Sequence, residues 1–204
     1  ISYLNYENNC QKYNIAFANI DLENLVFKNF FKSESCGENL NAGRMKIFNF
    51  NGSDGLLATI GGEKLNEPTD KPQDRKSDIG KIIFVDFKTK KKEIFSIGHR
   101  NPQGLFVQDN LIIATEHGPK GGDEINKIEF GKNYGWPIAP YGTAYKHVKK
   151  NKNKKYLKNH LNNNFEEPIF SFVPSIGISE IIKVPNRFSK SWDNNFLLSS
   201  LNGG

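Results

Sequence analysis

The sequence predicts an all-β chain that forms part of a β-propeller, and three observations lead to this prediction. Short apolar, β-branched and aromatic runs recur along the 204 residues, separated by Gly, Asn, Asp and Pro. None of these runs is long enough for a typical helix, and no stretch sustains the helical period of about 3.6 residues. One strand pattern also returns at regular intervals, which is typical of a fold built from repeated units.

The predicted strands are the apolar runs that alternate with turn residues. They cover residues 45–50, 56–60, 81–87, 105–107, 111–115, 181–184 and 196–201. Turn-forming pairs, Asn51-Gly52 and Asp54-Gly55, precede the second of these strands, and the turn-forming segment Gln108-Asp109-Asn110 precedes the fifth. Such residues predict hairpin connections because they tolerate the backbone conformations that tight turns require.

Four segments share one pattern, an apolar strand that ends in small residues. They are ISYLNY at Ile1, LLATIGG at Leu56, LIIATEHG at Leu111 and FLLSSLNGG at Phe196. The first two intervals are 55 residues long, and the third is longer by about thirty residues, as an insertion within one repeat would make it. Repeats of this length favour four-stranded propeller blades whose Gly-rich strand ends open on one face. A β-sandwich with irregular loops is the alternative.

We expect a single, incomplete propeller domain over residues 1–204, with a Lys/Asn-rich inserted loop at about 145–165. The chain opens on a strand pattern and closes on a turn pattern, so a piece of a longer protein is expected. No apolar run reaches about eighteen residues, so no membrane span is expected. No targeting segment is visible in the sequence.

The net charge of +6 raises the question of nucleic-acid binding. Much of the excess lies in the Lys/Asn-rich stretch 146–158, and such runs are usually solvated loops. We therefore expect no nucleic-acid partner. The two cysteines, Cys10 and Cys36, are too few for a disulfide framework and lack metal-ligand spacing. They form either one bridge or two thiols, and the sequence does not decide between these.

The segment GHRNPQG at 98–104 combines a planar cation with two amides. Arg100 offers forked donors, while Asn101 and Gln103 offer both donors and acceptors, so together they can bind a flat, oxygen-rich ligand. The alternative is an arginine that only stabilises its own loop by binding neighbouring carbonyls.

The segment EHGPKGGDE at 116–124 combines a tight turn with two carboxylates. Gly118-Pro119 can point backbone carbonyls inward, and Asp123 and Glu124 add hard anionic oxygens. Carbonyls and carboxylates together are the ligands that Ca²⁺ selects. The spacing is not that of an EF-hand, and a solvated acidic turn is the alternative.

Other residues near these segments are weaker candidates. His99 and His117 are candidate bases by residue type alone, with packed scaffold as the alternative. Trp136 and Pro137 are expected to close a blade and not to stack on a ligand.

The order and spacing of three motifs resemble the family of sugar dehydrogenases that depend on pyrroloquinoline quinone (PQQ), also called glucose/sorbosone dehydrogenases. These motifs are GHRNPQGL at Gly98, EHGPKGGDEIN at Glu116 and GKNYGWP at Gly131. Further matches are GRM at Gly43, DGLLATIG at Asp54, DIGKII at Asp78 and PSIGIS at Pro174. The resemblance implies a six-bladed β-propeller, of which this chain would form the middle blades.

The resemblance also implies a reaction and a set of site residues. Members transfer a hydride from the anomeric carbon of an aldose to PQQ, assisted by Ca²⁺ as a Lewis acid and by a histidine that removes the hydroxyl proton. Arg100 and Asn101 would be catalytic and cofactor-binding, and Gln103 would support cofactor binding. The carbonyls of Gly118 and Pro119 would bind the cofactor's Ca²⁺. Asp123, Glu124 and the carbonyl of Tyr134 resemble a second Ca²⁺ site.

Two positions depart from the family pattern. Leu40 stands where the family has its catalytic histidine, and Asn202 stands where the family has a basic residue that contacts the cofactor. A non-catalytic Ca²⁺-binding propeller used as an interaction module is therefore the alternative function. The expected partner is a small sugar, with a possible homodimer of the full-length protein. The family resemblance places the protein in the periplasm or outside the cell.

Overall fold

The structure, a computed structural model, describes residues 1–21, 23–62, 69–145, 156–157 and 160–202. These residues form β-strands joined by turns and two short 3-10 helices, Leu161–Asn163 and Lys190–Trp192, and they contain no α-helix. The strands are β1 (Ser2–Glu7), β2 (Cys10–Phe17), β3 (Lys28–Gly37), β4 (Leu40–Phe50), β5 (Ser53–Gly62), β6 (Lys81–Asp86), β7 (Lys92–Ile97), β8 (Pro102–Gln108), β9 (Leu111–Glu116), β10 (Asp123–Lys127), β11 (Phe170–Phe172), β12 (Ile178–Lys183) and β13 (Phe196–Ser200).

The strands form four sheets in chain order, each an antiparallel meander. Their orders are β1-β2-β3, β4-β5-β6-β7, β8-β9-β10-β11 and β12-β13. Each sheet contacts the next, chiefly through its first strand: β4 lies against β8, and β8 lies against β12. Consecutive four-stranded meanders packed side by side are propeller blades, so the predicted all-β propeller part is confirmed.

The repeat found in the sequence marks one strand in each blade. β5, β9 and β13 are each the second strand of their sheet. The sheet β1-β2-β3 has the same antiparallel order as the last three strands of the complete blades, which makes β1 the equivalent of β5 and β9. An apolar strand that ends in small residues is therefore typical of the second strand of each blade, whose end approaches the neighbouring loops.

The hydrophobic core fills both faces of the second blade. Ala58, Ile83 and Val85 pack towards the first sheet, together with Tyr13, Ile15 and Phe31. Leu57, Ile82 and Phe84 pack towards the third sheet, together with Phe95, Leu105 and Ile112. Alternate residues of one strand point to opposite faces, so β5 and β6 read as continuous apolar runs. A sandwich would instead leave one face of each sheet polar, so that alternative is excluded.

The turn predictions are confirmed at two places and wrong at one. Asn51 and Gly52 connect β4 to β5 with positive φ angles of 51° and 81°, and Asp109 and Asn110 connect β8 to β9. The pair Asp54-Gly55 lies inside β5. Glycine is needed there for packing and not for turning, since a Cβ at Gly55 would overlap the carbonyl of Val85 and the Phe84 ring.

The cysteine pair and the Lys/Asn-rich loop can also be compared with the structure. Cys10 and Cys36 form a disulfide between β2 and β3, which resolves the alternatives that the sequence left open. The Lys/Asn-rich loop predicted at about 145–165 lies largely outside the described residues, which omit 146–155 and 158–159. Within the described ranges, no helix is long and apolar enough to cross a membrane.

Candidate functional site

The candidate site is built on the loop between β7 and β8, which carries Arg100 and Asn101. The Glu116 carboxylate, at the end of β9, accepts hydrogen bonds from both backbone N–H groups of this pair, the one from Asn101 at 3.3 Å. On the other side, the Gly62 N–H at the end of β5 donates to the Arg100 carbonyl at 3.1 Å. The loop therefore lies between the ends of β5 and β9, and both ends hydrogen-bond its backbone.

The Arg100 side chain is buried, with 7% of its surface exposed. One Nη1–H donates to the His117 carbonyl at 2.9 Å, and the guanidinium lies 5.4 Å from the centre of the Trp136 ring, in cation–π range. Burial lowers the pKa of Arg100, an effect that Tyr145 and Glu116 partly offset. Arginine nevertheless stays charged in proteins, so the loop presents a buried cation.

Asn101 and Gln103 form one amide pair beside this cation. The Gln103 Nε2 donates to the Asn101 Oδ1 at 2.5 Å, and the Asn101 Nδ2 lies 3.4 Å from the His117 Nδ1. The Gln103 carbonyl accepts a hydrogen bond from the Arg44 Nε at 2.5 Å, which connects this loop to β4. The structure thus brings the three polar residues predicted from the motif into one contact network.

The turn between β9 and β10 contains Gly118 and Pro119. A Cβ at Gly118 would overlap the Gly122 carbonyl oxygen, and a Cβ at Gly122 would overlap the Gly142 backbone. The Gly118 N–H donates to the Asp123 Oδ1 at 3.3 Å. Close backbone approach therefore requires glycine here, as the sequence predicted for a tight turn.

Asp123 and Glu124 are buried strand residues and not members of a solvated turn. Asp123 is 2% exposed and Glu124 is 6% exposed, at the start of β10. The Asp123 Oδ2 accepts the Ile178 N–H at 3.0 Å, whereas the Glu124 Oε2 accepts from the Asn126 Nδ2 at 3.2 Å. Adjacent strand residues point to opposite faces, so the two carboxylates make separate contacts.

Glu124 lies in a negatively charged environment. It is directly opposite Glu116 in the register of β9 and β10. Burial, together with the nearby Glu116 charge, raises the pKa of Glu124 to about 8. The Oδ1 of Asn126 is buried without a hydrogen-bond partner among the described residues. Among those residues, no group of three or more His, Cys, Asp or Glu side chains is arranged to hold a metal ion.

Tyr134 and His99 pack against each other beneath the loop. Their rings stack with centroids 4.7 Å apart, and the Tyr134 hydroxyl donates to the Lys127 carbonyl at 2.6 Å. His99 is fully buried and hydrogen-bonds Glu116 and Ser96. Of the two histidines considered as bases, His99 therefore belongs to the scaffold.

Leu40, the residue for which the sequence resemblance predicts a lost histidine, is a core residue. The Leu40 side chain is 6% exposed and packs with Ile79 in the first hydrophobic cluster. Asn41 approaches the loop instead. Its Oδ1 and the backbone of the loop both lie close to Gly61. A Cβ added at Gly61 would overlap the Asn41 Oδ1, and it would lie 2.9 Å from the Arg100 carbonyl oxygen and 3.0 Å from the Asn101 Cα.

Two features of the site were not predicted from the sequence. Glu116 was recognised only as part of a motif, and Asn41 was not considered. The signal for Glu116 was a charged residue at the end of the buried run LIIATE, because a carboxylate in that position needs hydrogen-bond donors from another segment. Asn41 carries no such signal, since its approach to the loop depends on how β4 packs.

Comparisons with known proteins give a consistent result. A family model described as Glucose / Sorbosone dehydrogenase matches residues 2–204. An aldose sugar dehydrogenase of Escherichia coli is 32% identical over 160 residues, which cover 72% of this chain and 42% of that protein. Quinoprotein glucose dehydrogenase B of Acinetobacter calcoaceticus is 50% identical over 58 residues, which cover 26% of this chain and 12% of that protein. The chain thus spans less than half the length of these curated relatives.

The solved structures agree with the sequence comparisons. The apo-form crystal structure of the soluble aldose sugar dehydrogenase from Escherichia coli matches with a TM-score of 0.79 at 25% identity. The match covers 98% of this chain and 61% of that chain. The four sheets described above therefore have the arrangement found in a sugar dehydrogenase.

Proposed function

Because the chain belongs to the glucose/sorbosone dehydrogenase family, we propose that the whole protein is a quinoprotein that oxidises an aldose at its anomeric carbon. The observation that carries this proposal is the Arg100–Asn101 loop. Its polar side chains are buried, and hydrogen bonds from Gly62 and to Glu116 fix its backbone on two sides. A fold gains nothing in stability from burying a cation without a full set of partners. Such an arrangement is typical of a binding site.

The residues present fit PQQ, which is flat and rich in oxygen. Only one hydrogen bond of the Arg100 guanidinium to the protein is seen within the described residues. Its remaining N–H donors suit oxygen atoms of a planar ligand. Asn101 would bind the cofactor or the sugar, and Gln103 would hold the Asn101 amide in place through their 2.5 Å hydrogen bond.

The turn after β9 fits Ca²⁺ through backbone oxygens. We propose that the carbonyls of Gly118 and Pro119 bind the ion that accompanies PQQ, and that Glu124 and the Tyr134 carbonyl contribute to a second site. Asp123, also predicted for that site, points to the opposite face of β10, where both of its carboxylate oxygens accept backbone N–H groups. The buried Glu124 carboxyl, with a pKa raised to about 8, and the Asn126 Oδ1, which has no hydrogen-bond partner within the described part of the chain, support a cation beside Glu124. A hard cation would stabilise the ionised form of Glu124.

When bound with its Ca²⁺, PQQ would supply the hydride acceptor of the reaction. The protein must orient the sugar and accept the proton of its hydroxyl group. Arg100 places positive charge where negative charge develops during the transfer. The proton acceptor is not supplied by Leu40, whose side chain is apolar and lies in the core.

This packing of Leu40 favours one second candidate, a propeller that binds Ca²⁺ and serves as an interaction module. It shares the turn at Gly118 and Pro119 with the enzyme but does not require electron transfer. The two candidates therefore differ in whether PQQ is bound and reduced.

The disulfide between Cys10 and Cys36 supports a periplasmic or secreted location, because such bonds persist in oxidising compartments. For the whole protein we propose a small sugar as substrate and a homodimer as a possible assembly. Nucleic acid is not proposed as a partner.

Dye reduction by the whole protein tests the proposed function. The apo-protein is loaded with PQQ and Ca²⁺ and assayed with a panel of aldoses and an artificial electron acceptor. If the protein is a dehydrogenase, we expect aldose-dependent reduction of the electron acceptor, and we expect this reduction to be lost when either PQQ or Ca²⁺ is omitted. Ca²⁺ binding with no PQQ-dependent reduction for any aldose would favour the interaction module.

A further inference from the structure

The Glu116 carboxylate is a buried charged group outside the predicted site residues that holds the backbone of the β7–β8 loop. Its Oε1 accepts the N–H groups of two successive residues, Arg100 and Asn101. Successive backbone N–H groups form a concave site that favours an anion, and here a side chain of the same protein occupies it. Hydrogen bonds to an ionised acceptor are about twice as strong as neutral ones, so this contact fixes the backbone of the loop.

The second oxygen of the carboxylate is fixed in turn. The Glu116 Oε2 lies 3.0 Å from the His99 Nδ1, and the His99 Nε2 lies 2.8 Å from the Ser96 Oγ. A consistent assignment has His99 donating from Nδ1 to Glu116 and accepting at Nε2 from the Ser96 hydroxyl. Tyr134 stacks on the same imidazole ring and prevents it from turning. The series Ser96–His99–Glu116 thus connects β7 to β9.

The series acts on the backbone of the loop and leaves its side chains available. The Arg100 guanidinium instead contacts the His117 carbonyl and the Trp136 ring, and the Asn101 amide contacts Gln103. All three members of the series are at most 3% exposed, and their side-chain polar atoms hydrogen-bond one another and the backbone of the loop. Their influence on ligands must pass through the loop.

We propose that Glu116, oriented by His99 and Ser96, is a positioning residue that sets the geometry with which Arg100 and Asn101 bind an oxygen-rich cofactor. The proposal rests on the proposed function, in which these two residues bind PQQ. It assigns Glu116 a role different from that of a metal ligand or a base. Partners that orient metal ligands change metal affinity or activity by about 10–100-fold when they are removed, and we expect an effect of this order for a partner that orients the Arg100–Asn101 loop.

The test compares PQQ affinity and stability in the whole protein. Glu116→Gln keeps the shape of the side chain but replaces the charged acceptor, and Ser96→Ala removes the hydroxyl that orients His99. Ser33→Ala is the matched control, because Ser33 is a buried serine that accepts the Tyr13 N–H at 3.0 Å in the first sheet. PQQ dissociation constants are measured by absorbance titration with Ca²⁺, and unfolding midpoints are measured without PQQ.

We expect Glu116→Gln and Ser96→Ala to weaken PQQ binding by about 10-fold or more, and Ser33→Ala to leave it unchanged at a similar loss of stability. Ser96→Thr, which retains the hydroxyl, should bind PQQ as the unaltered protein does. Unchanged affinity in Ser96→Ala, or in folded Glu116→Gln, would overturn the positioning role. If the unaltered protein fails to bind PQQ, the proposed function itself is wrong, and the positioning role is rejected with it.

Discussion

Arg100 is the residue whose environment points most directly to a ligand. It is 7% exposed and holds a charge, yet its one described side-chain hydrogen bond goes to a backbone carbonyl. Arg100→Lys would keep the charge but remove the planar fork of donors. We expect PQQ binding to weaken by about 10-fold or more, since a hydrogen bond to a charged group contributes about 1.5–3 kcal/mol. Titration of the whole protein with PQQ measures this change.

The matched control is Arg187→Lys, because Arg187 is exposed and lies far along the chain between β12 and β13. It should leave the PQQ dissociation constant unchanged. Equal affinity in the Arg100→Lys protein would show that the guanidinium does not contact the cofactor.

At this scale the sequence predicted the contacts within a motif but not those between motifs. Arg100, Asn101 and Gln103 lie close in sequence, and the structure joins them in one network. The role of Glu116 depends on β9 ending beside the β7–β8 loop, and that placement is a property of sheet packing. Leu40 shows the same limitation, since its burial among Ile79 and its neighbours follows from how two blades meet.

The turn between β9 and β10 is the element that the proposed Ca²⁺ site depends on. A Cβ at Gly118 would overlap the Gly122 carbonyl, so Gly118→Ala must displace the turn. We expect this variant to lose Ca²⁺ affinity and to lower the free energy of unfolding by about 1–3 kcal/mol, the usual cost of overpacking. Calorimetric titration with Ca²⁺ and denaturant unfolding measure the two effects.

Gly131→Ala separates this steric effect from the cost of losing a glycine. Gly131 has a positive φ of 80° but open space around it, so alanine there meets only backbone strain. It should lower stability without changing Ca²⁺ affinity. A Gly118→Ala protein that binds Ca²⁺ as well as the Gly131→Ala protein would contradict a role for this turn in metal binding.

Three of the strands predicted from the sequence, β5, β6 and β9, have two buried faces. β5, β6 and β9 are apolar along most of their length because both faces pack against other sheets. β10 was not predicted, since its sequence DEINK is almost entirely polar. It forms a strand because its two carboxylates accept backbone N–H groups of other segments, from Ile178 and Tyr141, and local propensity does not contain that information.

For the whole molecule, the arrangement of blades converts separate sequence motifs into one site. Loops from β7–β8 and β9–β10 and the ends of β5 and β9 meet because successive blades place equivalent strand ends side by side. The repeat of 55 residues is therefore the most informative feature of the sequence at this scale. It predicts propeller blades, and it predicts that their Gly-rich strand ends open on one face, where the candidate site lies. The net charge of +6 predicts neither the fold nor the site, because much of the excess positive charge lies in one Lys-rich stretch.

Calcium-dependent binding of PQQ to the whole protein tests the central claim most directly. The apo-protein is titrated with PQQ in the presence of Ca²⁺ and again in the presence of a chelator, and the quinone absorbance is followed. A site formed by Arg100, Asn101 and the Gly118–Pro119 carbonyls predicts saturable PQQ binding that weakens when Ca²⁺ is removed, because the ion binds oxygen ligands. The absence of saturable PQQ binding in the presence of Ca²⁺ would contradict it.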